Sequence, residues 1–400
     1  MRREDQRLLR GDSCYLADLD PSTTAHAVFV RSTQASARVQ TIDTSAALAA
    51  PGVVAVFTGH NLGLAPAKPD LAALNQSMVR EWLAAEVVRF VGEPIALVVA
   101  ETLALAHDAA ELIEVSYEPL PVVIGIRSAT DGAAHVHAVA ATNECLRFEP
   151  IGAVTAGASI EIAIEFDQPK VSPAPLEGRA ARAAWDGSEI TLFASTQGVH
   201  PYRGAVAKAL GLDPAAVVVR SLDVGGSFGG KGQAHIEEVI VARAAQLSGR
   251  TVQWIDERSE SIATLGHSRG QQQRLVLRGD GDGTIRSLDY TVVQDSGAYP
   301  RLGAFMSNMS RLMLPGPYRI PSVRVDATSV VTNTNPHVAY RGAGQPEYTL
   351  AVEGAIDRFA RRIGLDPLEV RRRNLIAAHE FPYTSATGMV YDSGDYLAAL

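Results

Sequence analysis

The most uninterrupted hydrophobic run in the chain is "IALVVAE" at 95–101, which predicts an apolar β-strand. Thr102 follows as the cap of a helix expected to run through Glu114, and "VSYEPLPVV" then reads as an edge strand limited by its prolines. Upstream, "RVQTIDTSAALAAPGVVAVFTGHNL" alternates a strand, a short helix closed at Pro51-Gly52 and the strand "VVAVFT". Between 131 and 146 the pattern lapses into small residues without a period, the composition of a linker. Strand signals resume at "SIEIAIEF", "RAARAAWDGSEITLFAST" and "AAVVVRSLDV". "QAHIEEVIVARAAQL" changes period, with Ile236, Val239, Ile240, Ala244 and Leu247 on one helical face. Next, "QQQRLVLRGDGDGTIRSLDYTVVQDSGAY" is a hairpin. Its tip carries Asp280-x-Asp282-Gly283 but lacks the distal Glu of a calcium loop, so a plain turn is expected. Ser393 or Asp395 caps a last helix that stops within two turns at Leu400, too short to stand alone, as though the sequence were cut inside a domain. These patterns predict a mixed α/β chain, with one unit over 1–130, a linker over 131–146 and a second unit over 147–400.

Composition narrows the function classes. With 46% hydrophobic residues in 400, the chain can bury a large core. A formal charge of −8 argues against a general nucleic-acid or anionic-membrane surface. No apolar run reaches the roughly 18 residues of a membrane span, and the basic start lacks the apolar stretch of a secretory signal, so a cytoplasmic protein is expected. The two cysteines, Cys14 and Cys145, cannot build an iron–sulfur cluster or a four-cysteine zinc site. His135-x-His137 is the one close histidine pair, and with no third ligand nearby it reads as a loop or surface pair rather than a metal site.

The candidate chemistry centres on "DVGGSFGGKG" at 223–232, five glycines and one lysine around a phenylalanine. Gly225, four residues, then Gly230-Lys231 begins like a phosphate-binding P-loop, but Gly232 stands where a magnesium-holding Ser or Thr is needed. The glycines also miss the dinucleotide register G-x-G-x-x-G. Two readings remain open: a strand-to-helix turn whose free N–H groups approach an anionic ligand, or a tight turn that needs positive φ.

Taken with "EDQRLLRGDSCYLADL", "VGEPIALVVAET", "PAPLEGRAARAAWDG", "STQGVHPYR", "NPHVAYRGAGQPE" and "YDSGDY", in that order, the loop resembles the molybdenum-binding large subunit of the xanthine dehydrogenase, aldehyde oxidase and aerobic CO dehydrogenase family. The resemblance implies a fold of an aldehyde oxidase/xanthine dehydrogenase a/b hammerhead domain followed by the first part of a molybdopterin-binding domain. It implies molybdenum-molybdopterin, in its cytosine dinucleotide form, as cofactor, held by Gly226, Phe228, Gly229, Gln197, Arg341, Gly342 and Ala343. No side chain would ligate the metal. Gln197 would hydrogen-bond an oxygen of the metal centre without bringing charge to it. Arg341 would face substrate and stabilise developing negative charge; the competing reading is a structural ion pair with Glu347 or Asp357.

The implied reaction is oxidative hydroxylation of an aldehyde or heteroaromatic carbon. The implied partners are a small-molecule substrate, a 2Fe–2S small subunit and an FAD-binding medium subunit, assembled as a dimer of heterotrimers. Departures from the family pattern shape this expectation. CO-oxidising members place a copper-carrying cysteine straight after the arginine, where this chain has Gly342, which disfavours CO oxidation. Purine oxidisers place a glutamate after the loop lysine, where this chain has Gly232. The family's general-base glutamate belongs to a later segment, so these 400 residues offer no counterpart and are expected to be inactive in isolation, as an assembly fragment would be.

Overall fold

The structure is a computed structural model and describes residues 3–154 and 157–400. Two large sheets organise it. The first has seven strands, in the order Val217–Arg220, Ile190–Ala194, Ala180–Trp185, Thr251–Ile255, Thr24–Arg31, Pro94–Ala100, Val53–Thr58. Pro94–Ala100 is buried at every position, as its unbroken apolar run requires of a strand covered on both faces. The helix Ile236–Ser248 crosses this sheet against Ala180–Trp185, where Ala181, Ala183, Ala244 and Ala245 keep the two backbones close. Four of the five residues assigned to its inner face are buried, while Leu247 in the last turn is 42% exposed.

The second sheet runs Glu144–Arg147, Ser322–Val330, Ile285–Asp295, Ser268–Gly279, Ile160–Val171, with Ile151–Gly152 also pairing to Ser322–Val330. Its central hairpin turns at 280–284 through plain backbone hydrogen bonds, Gly283 N to Asp280 O at 2.9 Å among them. The helix Gln345–Ile363 lays Val352, Ala355, Ile356 and Phe359 on this sheet. A three-stranded sheet orders Val87–Val88, Ala37–Asp43 and Glu114–Pro119, with the proline-limited strand at its edge. The fold is thus mixed α/β, as the sequence pattern predicts.

Several local expectations change. The helix capped by the Thr102 hydroxyl ends at Glu111, short of Glu114, because 114–119 pair in register with Asp43 through Ala37. Asp395, and not Ser393, caps the last helix, Tyr396–Ala399, accepting from Ala398 N at 3.0 Å. The expected linker is a packed segment. Val136, His137, Asn143, Cys145 and Leu146 are buried, and Glu144–Arg147 is a strand of the second sheet. Asn143 ties its aperiodic backbone together: it accepts from Val136 N at 3.0 Å and donates to Ala134 O at 2.7 Å. His137 is no surface residue either; its Nε2 lies 2.7 Å from Ala298 O, while His135 is exposed. The seven-stranded sheet also crosses the expected boundary near 130, since Thr24–Arg31 pairs in parallel with Thr251–Ile255.

Candidate functional site

Ile190–Ala194 and Val217–Arg220 are parallel neighbours, so their C-terminal ends lie side by side. The chain leaving the first supplies 195–198, and the chain leaving the second supplies the glycine loop, which feeds the helix Ile236–Ser248. A third segment, 339–344, leads into the helix Gln345–Ile363.

The loop is anchored from beneath. Lys231 is fully buried, and its Nζ donates to Glu177 O at 2.9 Å and Ser195 Oγ at 2.7 Å, with Glu177 Oε2 at 3.2 Å. The same carboxylate oxygen accepts from Gly225 N at 2.7 Å. Burial lowers the Lys231 pKa, with Glu177 opposing the shift. The lysine that suggests a P-loop is therefore turned into the protein and fixes the loop rather than a ligand.

Above this anchor the three segments are tied together. Gln197 Oε1 accepts from Ser227 Oγ and from Gly229 N, the latter at 3.2 Å. Gln197 N donates to Lys231 O at 3.2 Å, and Arg341 N donates to Phe228 O at 2.8 Å. The 340–344 turn is braced by Arg269, which donates to Arg341 O at 2.8 Å and pairs with the buried Glu347 at 3.1 Å. Since Glu347 pairs with Arg269 and Asp357 with Arg371, both carboxylates that competed for Arg341 are engaged elsewhere. Among the described residues the Arg341 guanidinium has no ion pair.

The loop is a tight positive-φ turn, and among the described residues it also leaves backbone N–H groups without an internal partner. Gly226 and Gly229 have φ of +100° and +103°, and Phe228 itself lies at +53°. A Cβ on Gly229 would sit 2.6 Å from the Ala339 carbonyl oxygen, so the tight turn is required. Yet among the described residues no acceptor takes the N–H groups of Gly226, Ser227 or Phe228. Gly342, Ala343 and Gly344 are likewise left-handed, at +95°, +34° and +95°. Gln197, Phe228, Arg341 and Gly342 are all exposed. Every residue the resemblance singled out thus lies on one of three hydrogen-bonded segments. Together these segments carry N–H groups unpartnered among the described residues, an exposed amide and an exposed arginine, a donor set suited to an oxygen-rich, anionic ligand.

Residues 10–121 match the family described as aldehyde oxidase and xanthine dehydrogenase, a/b hammerhead domain, and residues 136–375 match the molybdopterin cofactor-binding domain. The chain belongs to the molybdopterin-binding large-subunit family of xanthine dehydrogenase, aldehyde oxidase and CO dehydrogenase. Among relatives, it is 33% identical to the nicotine 6-hydroxylase large subunit of Paenarthrobacter nicotinovorans, over 100% of this chain and 50% of that protein. It is 31% identical to the carbon monoxide dehydrogenase large chain of Hydrogenophaga pseudoflava, over 100% of this chain and 52% of that one. Quinoline 2-oxidoreductase from Pseudomonas putida 86 superposes with a TM-score of 0.93 at 35% identity, again over 100% of this chain and 52% of that chain. The chain therefore spans about half the length of these relatives.

This family is one of molybdopterin-dependent oxidoreductases. The donor surface fits the phosphate and ring oxygens of such a cofactor, with Phe228 supplying an apolar wall. The residues that build the surface from behind, Glu177, Ser195, Ser227 and Arg269, were not singled out from the sequence. Glu177, Ser195 and Ser227 fall inside quoted motifs, but their roles depend on side-chain direction, which letters do not carry.

Proposed function

We propose that the chain is the first part of the cofactor-binding large subunit of a molybdenum hydroxylase that oxidises an aldehyde or heteroaromatic carbon. The observation that carries this reading is the convergence of Gln197, Phe228–Gly229 and Arg341 on one donor-rich surface within this family's fold. The cofactor, in its cytosine dinucleotide form as the resemblance implies, would supply the two-electron redox chemistry. Gly226, Gly229, Gly342 and Ala343 let backbone approach it, and Phe228 excludes water beside it. Gln197 donates an uncharged hydrogen bond, and Arg341 meets charge developing on the substrate.

The chain's two cysteines leave electron exit to other polypeptides, namely a 2Fe–2S small subunit and an FAD-binding medium subunit in a dimer of heterotrimers. None of the described helices is long and apolar enough to cross a membrane, in keeping with a cytoplasmic assembly. Oxidation of CO through a copper thiolate is disfavoured. Gly342 follows Arg341, and the Cys145 thiol is buried against Ser329 O at 3.2 Å, with burial pushing its pKa up to about 12. The test is steady-state oxidation of an aldehyde, a quinoline-type heteroaromatic, a purine and CO by the purified molybdenum-loaded complex. Turnover is expected on the first two. Oxidation of CO faster than of either would overturn the assignment.

A further inference from the structure

The Ser227 hydroxyl has a single proton, and the structure shows where it goes. Ser227 Oγ accepts from Lys231 N at 3.0 Å and donates to Gln197 Oε1. Gly229 N donates to that same oxygen at 3.2 Å. A glutamine amide has one acceptor atom and one donor atom at its tip, and the two ends exchange by a half-turn. Here the Gly229 N–H can only donate, and the Ser227 hydroxyl, already accepting from Lys231 N, has its proton to give, so the carbonyl end faces them and the Nε2 end faces away. Turning the amide over would set its N–H groups against the Gly229 N–H and leave that donor without its acceptor inside the loop. Behind the serine, Lys231 N is held because the Lys231 side chain is locked to Glu177 and Ser195. Beside Nε2 stands Gly232, where a Cβ would come to 3.5 Å of that nitrogen.

We infer that Ser227 is a positioning residue: its hydroxyl fixes the orientation of the Gln197 amide so that Nε2 presents its N–H groups to the ligand surface. The inference rests on the reading of Gln197 as a hydrogen-bond donor to the bound cofactor or substrate, and it adds the device that makes this residue a donor there rather than an acceptor. A carbonyl turned outward would repel the oxygen-rich ligand that the rest of the surface suits.

Two measurements separate the inference from the reading beneath it. In the 400-residue chain labelled with ¹⁵N at glutamine side chains, the Gln197 resonances are identified by their loss in Gln197→Ala. Their residual dipolar couplings are expected to be those of a fixed amide in the unaltered chain and in Ser227→Thr. In Ser227→Ala they are expected to collapse toward the values of exposed glutamines. Couplings unchanged in Ser227→Ala would overturn the positioning role, whatever Gln197 does. So would couplings lost equally in Ser227→Thr, because the hydroxyl would then not be what matters. In the molybdenum-loaded complex, Gln197→Ala is expected to lower kcat by roughly 10²–10³-fold, as for deletion of a preorganised donor. Ser227→Ala is expected to lower it about tenfold at unchanged metal content and KM, with Ser227→Thr restoring it. Full turnover in Gln197→Ala would sink the reading of Gln197 while the couplings still report on Ser227.

Discussion

At Gly229 two constraints coincide: φ of +103°, and an Ala339 carbonyl oxygen 2.6 Å from where a Cβ would stand. Gly229→Val violates both, at a backbone cost of about 1–3 kcal/mol before the clash is counted. The expected result is a complex that no longer retains molybdenum and pterin, read by metal analysis; stoichiometric molybdenum would reduce the loop to a turn. Arg341 should behave in the opposite way. Its side chain supports no ion pair among the described residues, so Arg341→Met is expected to keep the metal while kcat/KM falls on the order of 10²–10³-fold, as when a charge-stabilising donor is removed. Metal content lost together with turnover would make Arg341 structural. At this scale the residues were legible because they sit in short motifs whose spacing survives in the letters. Lys231 was legible only as a question. Its burial depends on Glu177, 54 positions away, and no local pattern records that.

Elements were legible where the pattern of burial is regular, as in Pro94–Ala100 and Ile236–Ser248, and illegible where an irregular backbone is held by a few polar side chains. The segment before Glu144–Arg147 is the clearest case, since Asn143 and His137 do by hydrogen bonding what periodic apolar contacts do elsewhere. The His137 imidazole is kept neutral by burial and by Arg89, which push its pKa down to about 4. The unfolded chain takes up that proton near the ordinary value of about 6.5, whereas the folded chain does so only near the depressed one. Between these values the unfolded state binds more protons, so this contribution to stability is complete above about 6.5 and shrinks as pH falls. The loss between pH 7 and pH 5 is up to about 2 kcal/mol. His137→Gln should flatten that part of the urea-unfolding pH profile. Comparing the two profiles cancels Glu238, whose burial raises its carboxyl to about 7 and pulls the opposite way. Parallel profiles for both proteins would show that His137 is not held neutral.

Across the whole molecule, the family's two named segments do not correspond to two independent cores. Thr24–Arg31 lies in the middle of the seven-stranded sheet, with Pro94–Ala100 on one side and Thr251–Ile255 on the other. Phe29 meets Trp254 edge to face at 5.4 Å, and Leu62, Leu83, Leu97 and Val99 belong to the same buried cluster as Val252 and Ile240. A fragment of residues 1–130 would uncover Phe29, Leu62, Leu83, Leu97 and Val99 on the face they share with the later strands. At about 1.5–3 kcal/mol for each fully buried side chain, that forfeits on the order of 10 kcal/mol, comparable with the whole net stability of an ordinary domain. The fragment is therefore expected not to fold cooperatively on its own, and the full chain to lose both segments of the sheet together. With Trp82→Phe and Trp185→Phe leaving Trp254 as the single reporter in the shared core, fluorescence and far-UV circular dichroism should give coincident urea midpoints. A cooperative transition in the 1–130 fragment, or a fluorescence midpoint well separated from the dichroism one, would show that the strand pairing Thr24 to Thr251 joins two units that are already stable, and that the sheet is an interface between domains rather than one core.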